Sequence, residues 1–245
     1  MQQQELIIKK ELTQLAPAWL SFNLPDVDGL FPGFKADDFA MIFGSQLVTS
    51  LISKLCIRAQ LPESLGGLES KIIIIDAANS SSIANFSPHE NVISMRAYTA
   101  YRLTSLITEK LEQAVEKSGA KLVVISDIVG PFLSENVNDQ EAKAVYSQIM
   151  SYLARFAKRH GIIIIATYLP HGSSARNNTL QEITSAKAKI ALRFSKTLYT
   201  SEVELEKHPT YMLGVAEFNP DNKVADNYDL ANRRNATPTL SYKIL

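Results

Sequence analysis

Ala59-Gln-Leu-Pro-Glu-Ser-Leu-Gly-Gly-Leu-Glu-Ser-Lys71 runs straight into Ile72-Ile-Ile-Ile-Asp76, and the reading of the chain turns on this stretch. Four consecutive isoleucines leave no polar face. A continuous β-branched run of this kind suits a strand covered on both sides, as in a parallel sheet. Gly66-Gly67 marks a loop before it. Upstream, Phe39–Phe43 is a short apolar run that ends at Gly44-Ser45, which reads as a strand followed by a turn. From there Leu47, Leu51, Leu55 and Ala59 form one row, and Val48, Ile52 and Cys56 form its neighbour. That spacing predicts a helix buried over much of its surface.

Downstream, Leu103, Ile107, Leu111 and Ala114 recur at helical spacing, and Gly119 is placed as a C-terminal stop. Lys121–Ile125 is a second buried strand. Ala142, Val145, Ile149, Leu153 and Phe156 make another helical stripe, ended by Gly161, and Ile162–Thr167 is a third buried strand. The pattern then changes. Ala188–Phe194, Ser201–Glu206, Tyr211–Phe218 and Thr239–Leu245 read as strands with no helices between them, and Asn219–Pro238 reads as an exposed loop. Alternating β and α followed by a β meander predicts an α/β fold. The sheet is expected to be mostly parallel, twisted and flanked by helices, with antiparallel strands at its C-terminal edge. Residues 1–28 read as an N-terminal arm, with an amphipathic helix over Glu5–Leu15, and residues 29–245 as one core domain. Trp19, with Phe22 and Leu24 near it, is expected to dock the arm onto that domain.

The chain has 245 residues, of which 46% are hydrophobic, enough for a large core. Lys and Arg total 25 and so do Asp and Glu, so no overall basic charge marks it as a nucleic-acid binder. Its single cysteine, Cys56, cannot form an internal disulfide and reads as a small buried hydrophobe. The N-terminus does not read as a signal peptide, and no apolar run reaches the ~20 residues of a membrane span. The expected location is cytoplasmic. The four histidines, His89, His160, His171 and His208, lack ligand spacing and read as structural or exposed. No catalytic constellation, metal site or cofactor is predicted.

In a parallel sheet of this kind, ligands bind beyond the carboxyl ends of the strands. A phosphate loop, G-x-x-x-x-G-K-[ST], would sit between the strand at Phe39–Phe43 and the helix after it. Counting back from Thr49, the lysine position holds Val48, the glycine before it holds Leu47, and the first glycine position holds Ile42. Glycines there let backbone amides curl around phosphate, and the lysine neutralises its oxygens. Valine does neither. Gly44, Ser45 and Thr49, with Asp127, are the vestigial nucleotide-binding candidates. The competing reading keeps them as a non-standard cradle, with Asp127 on magnesium.

The stretch at 59–76 resembles the RecA/RadA-type recombinases of archaea and eukaryotes. The shared features are Q-L-P, then G-G-L, then a lysine opening a hydrophobic strand that ends in Asp. Glu206-Lys-His-Pro-Thr-Tyr-Met-Leu-Gly214, followed by Ala216-Glu217-Phe218, is similar to the family's proline-to-glycine hairpin at the sheet edge. The resemblance implies a RecA-like P-loop NTPase core and extends from about Gly29 to Phe218. It also marks departures. The family's catalytic glutamate falls at Ala78, its Walker B aspartate at Ser126, and its γ-phosphate-sensing glutamine at Leu169. Losing a general base typically costs about 10²–10⁴-fold. The resemblance therefore implies a RadA-like paralogue without ATPase activity. The family's N-terminal helical DNA-binding module and its F-x-x-A filament segment have no counterpart in the sequence, so self-assembly into an active filament is not expected.

In the family, two loops face DNA, and their matches are Ser134–Glu141 and His171–Ser185. The first is acidic. The second carries Arg176, Asn177 and Asn178, and with Lys187 and Lys189 these are the nucleic-acid-binding candidates; Arg193 and Lys196 extend the strip. The same composition is usual for any surface loop. The expected role is an accessory or interaction protein of homologous recombination or DNA repair. The expected partners are a recombinase, a recombinase paralogue or a second copy of itself, with single-stranded DNA left open. The alternative is a divergent nucleotide-binding ATPase.

Overall fold

A computed structural model gives the three-dimensional structure and describes residues 19–44, 46–77, 91–134, 137–197 and 199–220. Eight strands form one sheet: β1 (Phe39–Phe43), β2 (Ile72–Asp76), β3 (Val92–Arg96), β4 (Leu122–Ser126), β5 (Ile163–Tyr168), β6 (Ile190–Lys196), β7 (Ser201–Lys207) and β8 (Gly214–Phe218). Their spatial order is β3-β2-β4-β5-β1-β6-β7-β8. Every pairing from β3 across to β6 is parallel, and β6–β7 and β7–β8 are antiparallel. The helices are α1 (Pro25–Leu30), α2 (Gln46–Ala59), α3 (Ala100–Ser105), α4 (Leu111–Ser118), α5 (Asp139–His160) and α6 (Ala175–Lys187). A π-helical turn, Leu106–Lys110, carries α3 into α4.

Each central strand is buried along its whole length, as the apolar runs predict. Alternate residues feed two separate cores. Phe39, Met41, Phe43, Ile73, Ile75, Val123 and Ile125 pack under α3 to α6. Ala40, Ile42, Ile72, Ile74, Leu122 and Val124 pack against α2 and the segment from Leu20 to Phe34. Leu20 pairs with Phe34 in an antiparallel bridge, and Phe22, Leu24 and Val27 are buried beside them. Trp19 leans on Tyr211, and the Lys35 ammonium sits over its ring.

The decisive stretch is held by its backbone. Gly66 adopts φ 76°, and a Cβ on Gly67 would stand 2.0 Å from the Leu61 carbonyl oxygen. Gly67 admits no side chain without moving the backbone, and the left-handed conformation of Gly66 favours glycine there. Ser70 Oγ accepts a hydrogen bond from the Lys121 amide at 2.7 Å, and Lys121 Nζ donates to the Leu68 carbonyl at 3.0 Å. The loop is thereby fixed to the start of β4, beside β2.

The structure differs from the sequence reading at four places. β3 was not anticipated, because Val92-Ile-Ser-Met-Arg96 is only half-buried at the sheet edge and has no continuous apolar run. The segment expected as a loop at His171–Ser185 is a loop only to Ser174; α6 begins at Ala175, with the Ser174 hydroxyl capping the Asn177 amide at 3.1 Å. Likewise, α5 starts at Asp139, inside the loop expected over Ser134–Glu141. The strand expected from Tyr211 starts at Gly214, because His208 Nδ1 accepts from the Thr210 and Tyr211 amides and turns the chain there. The helix at Glu5–Leu15, Ala78 and the strand at Thr239–Leu245 lie outside the described residues.

Candidate functional site

The connection from β1 to α2 consists of positions 44 and 45, since β1 ends at Phe43 and α2 opens at Gln46. A G-x-x-x-x-G-K-[ST] loop needs eight residues from first glycine to hydroxyl. Counted from Gly44, Thr49 is only the sixth. Gly44 has φ 146°, and a Cβ there would meet the Phe194 carbonyl oxygen at 2.5 Å and Val48 Cγ2 at 2.6 Å. Gly44 thus lets the turn pack directly against β6 and against the valine that stands at the lysine position. Val48 is 0% exposed and belongs to the apolar core beneath α2. Leu47 packs on the same core. Thr49 is half-buried, and its backbone carbonyl accepts from the Ser53 hydroxyl at 2.9 Å. Ser45 lies outside the described residues.

At the end of β4, Ser126 pairs in register with Asp76 of β2, and its hydroxyl donates to Asp76 Oδ1 at 3.2 Å. The Ala77 amide donates to Ser126 Oγ at 3.2 Å. Ser126 therefore stands at the strand end where the resemblance places an aspartate. Asp127, one residue on, has φ 47°, a left-handed conformation that Asp tolerates better than most residues. Its carboxylate is buried and already engaged. His171 Nε2 lies 2.9 Å and 3.0 Å from its two oxygens, and the Leu169 amide donates to Oδ1 at 3.3 Å. Asp127 is thus engaged by His171 and the Leu169 amide, and His171, expected as structural or exposed, is a half-buried partner of that carboxylate. Nothing in the spacing of residues 127 and 171 signals the contact; it follows from β4 and β5 being neighbours.

The hydrogen bond that His171 donates to Asp127 raises its pKa above the ordinary value, and burial partly opposes the rise. A group whose pKa is raised on folding contributes stability that is complete below its unfolded value, about 6.5 for histidine, and fades as pH rises through the folded value. Urea melts of the wild type and His171→Gln are expected to differ more at about pH 6 than at about pH 8.5. A difference that grew with pH would contradict the pairing.

The loop carrying His171 closes over a cleft of about 340 Å³ at the carboxyl ends of β5, β1 and β6. Tyr168, Phe43 and Arg193 are register neighbours and form its floor. The Phe43 and Tyr168 rings are 5.3 Å apart, and the Arg193 guanidinium lies 4.8 Å from the Phe43 ring centre. Burial raises the pKa of the Tyr168 phenol, which donates to Asn177 Oδ1.

The nucleic-acid candidates do not form one surface. Arg176 is turned inward. Its guanidinium pairs with Asp139 and donates to the carbonyls of Ser134 at 2.7 Å, Val137 at 2.8 Å and Phe132 at 3.3 Å. Asn177 is buried, and its amide holds the His171 and Gly172 carbonyls. Both stand in the first turn of α6 and fasten the neighbouring loops to it. Asn178 is exposed. Lys187 ends α6 and Lys189 precedes β6, pairing with Asp38 at 2.7 Å, so both stand at the amino ends of the strands, away from the cleft. Arg193 and Lys196, at the carboxyl end of β6, line the cleft. Cys56 is buried, and burial pushes its thiol pKa up to about 12, which makes it unreactive. Among the described residues no three His, Cys, Asp or Glu side chains gather as metal ligands would, and no helix is long and apolar enough to cross a membrane.

The strand order, the crossover helices on both faces and the antiparallel C-terminal edge define a RecA-like α/β core. A family model described as Rad51 matches residues 26–189, and the chain belongs to that family. Membership points to recombination and DNA repair, and proteins of the family form oligomers with recombinase partners and bind DNA. No curated protein matches the chain.

Proposed function

We propose that this chain is a non-catalytic accessory of homologous recombination or DNA repair, which keeps the family's core and its interfaces but not its ATPase. The observation that carries this reading is Val48, buried against Gly44 at the position where the family places a phosphate-binding lysine. A hydrogen bond to a charged group is worth about 1.5–3 kcal/mol, and an aliphatic side chain supplies none. The two-residue turn adds to it, because it offers too few amides to surround a triphosphate. So does the Asp127–His171 pair, which occupies the carboxylate nearest the Walker B position.

What the core retains is surface. Met212 is 89% exposed and Val215 61%, with Leu213 between them, at β8, the last strand of the sheet among the described residues. Isolated exposed apolar residues are ordinary, but a run of them beside an edge strand suits a protein partner. That partner is a RecA-like recombinase, a paralogue or a second copy of this chain.

Calorimetry with Mg-ATP is expected to give no binding heat and no turnover, and co-purification to recover a recombinase from the host. Micromolar ATP binding with turnover would establish the ATPase reading instead. Failure to bind any recombinase or single-stranded DNA at low salt would remove the accessory reading.

A further inference from the structure

The two faces of β8, the last strand of the sheet among the described residues, are unlike. Ala216 and Phe218 join the apolar core beneath α1 and α2, and Leu30 of α1 stands over Gly214. Val215 and Glu217 point the other way and are exposed. The register sets Glu202 of β7 directly opposite Glu217, and Glu204 opposite Val215. Like charges that face each other across a ladder are unfavourable. Arg193, on the same face of β6, pairs with Glu206, and Lys207 donates to the Ser185 and Ala186 carbonyls at the end of α6. Glu202, Glu204 and Glu217 have no ion-pair partner among the described residues. Along its outer side β8 therefore presents a half-covered apolar row, a facing pair of uncompensated carboxylates at one end and an exposed valine two residues before it.

We infer that residues 240–245 of this same chain add to β8 as a further antiparallel strand, with Lys243 opposite Glu217. Their sequence complements that edge. Leu240, Tyr242 and Ile244 alternate with Ser241, Lys243 and Leu245, which is the period of a strand. With Lys243 opposite Glu217, antiparallel pairing sets Tyr242 beside Phe218, Ile244 beside Ala216 and Leu245 beside Val215. The apolar row then extends the core under α1, the ammonium meets the facing carboxylates, and the valine gains an apolar neighbour; cross-strand pairs of these kinds stabilise a sheet. A slip by one residue would turn Lys243 into the apolar row and Ile244 onto the carboxylates. A slip by two would set Lys243 against Val215 or Leu245 against Glu217. In a parallel strand with the same ion pair, Val215 would face Ser241. Residues 221–238 join the two strands, and at about 3.3 Å per residue they reach with length to spare. Closing a long loop costs little more than closing a short one. Met212 and Leu213 precede β8 and lie outside this pairing, so the turn stays open to a partner and the inference is independent of the accessory reading.

Two double-cysteine variants of the full chain test this. Glu217→Cys with Lys243→Cys puts the thiols on facing residues, and Glu217→Cys with Ile244→Cys puts them on opposite faces of the sheet. Cys56 is buried and does not compete. Mild oxidation and non-reducing electrophoresis are expected to show a cross-linked monomer with the first pair, formed at least about tenfold faster than with the second. A charge exchange reads the same contact without cysteines. Lys243→Glu is expected to speed amide exchange across residues 215–218 about fivefold, and adding Glu217→Lys to it should restore the protection. The proposal is overturned if both cysteine pairs close at one rate, or if exchange at β8 is unmoved by Lys243→Glu. It is overturned equally if the first pair yields only dimers, since the strand on β8 would then come from a second copy.

Discussion

Replacing Gly44 by alanine is expected to destabilise the protein by roughly 3 kcal/mol, although the change adds one methyl group. In a chain of this length that corresponds to a fall in melting temperature of roughly 10 °C. Two costs combine. Gly44 has φ 146°, a conformation that side-chain-bearing residues rarely adopt. The new Cβ would also stand 2.5 Å from the Phe194 carbonyl oxygen and 2.6 Å from Val48 Cγ2. The carbonyl is backbone of β6 and cannot give way cheaply. The valine methyl can be removed, so Val48→Ala serves as a probe of the second contact. On its own it should cost about 2 kcal/mol as a core truncation. Combined with Gly44→Ala it should cost at least about 0.5 kcal/mol less than the sum of the two, because one of the two clashes has gone. Urea unfolding of the four proteins measures this coupling. A Gly44→Ala chain as stable as the wild type would mean that the turn has room, and with it the case for a filled cradle would go.

The same few residues show how far the amino-acid sequence could be read. Buried strands were legible because burial on both faces forces unbroken apolar runs such as Ile72–Ile75. The half-buried edge strand β3 was not, since neither alternation nor continuity marks it. Val48 was legible as a lost lysine because a motif assigns one chemical duty to one position. Its contact with Gly44 beside the Phe194 carbonyl was not, because Phe194 is brought there by the β1–β6 pairing. The cleft was split in the sequence between Phe43, Tyr168–His171 and Arg193–Lys196, and only the strand order joins them. Composition alone grouped Arg193 and Lys196 with Lys187 and Lys189. Yet β6 runs the length of the sheet, so a strip of basic residues continuous along the chain is divided between two ends in space.

Arg176 is the clearest case of a residue whose chemistry suggests one role and whose geometry gives another. An arginine in a small, polar loop sequence reads as a phosphate contact. The structure instead uses its guanidinium as a clamp on the segment between the 3₁₀ turn Gly130–Leu133 and α5. It spans the carbonyls of Phe132, Ser134 and Val137 and ends on Asp139. The Asp139 carboxylate is largely exposed, so that ion pair adds little by itself. The carbonyls matter more, because each loses a charged donor when the side chain is cut. Arg176→Ala is expected to cost roughly 2–4 kcal/mol and to speed amide exchange across residues 132–139. Arg176→Lys should recover only a small part, since a single ammonium cannot hold carbonyls that approach from several directions. Affinity for single-stranded DNA, if the chain has any, should not change in either variant beyond what lost stability explains. Stability equal to the wild type together with a lost, salt-dependent DNA affinity would reverse the assignment and return Arg176 to the surface as a backbone contact. Between these outcomes the amide exchange decides, because a clamp protects residues 132–139 in the absence of DNA and a DNA contact does not.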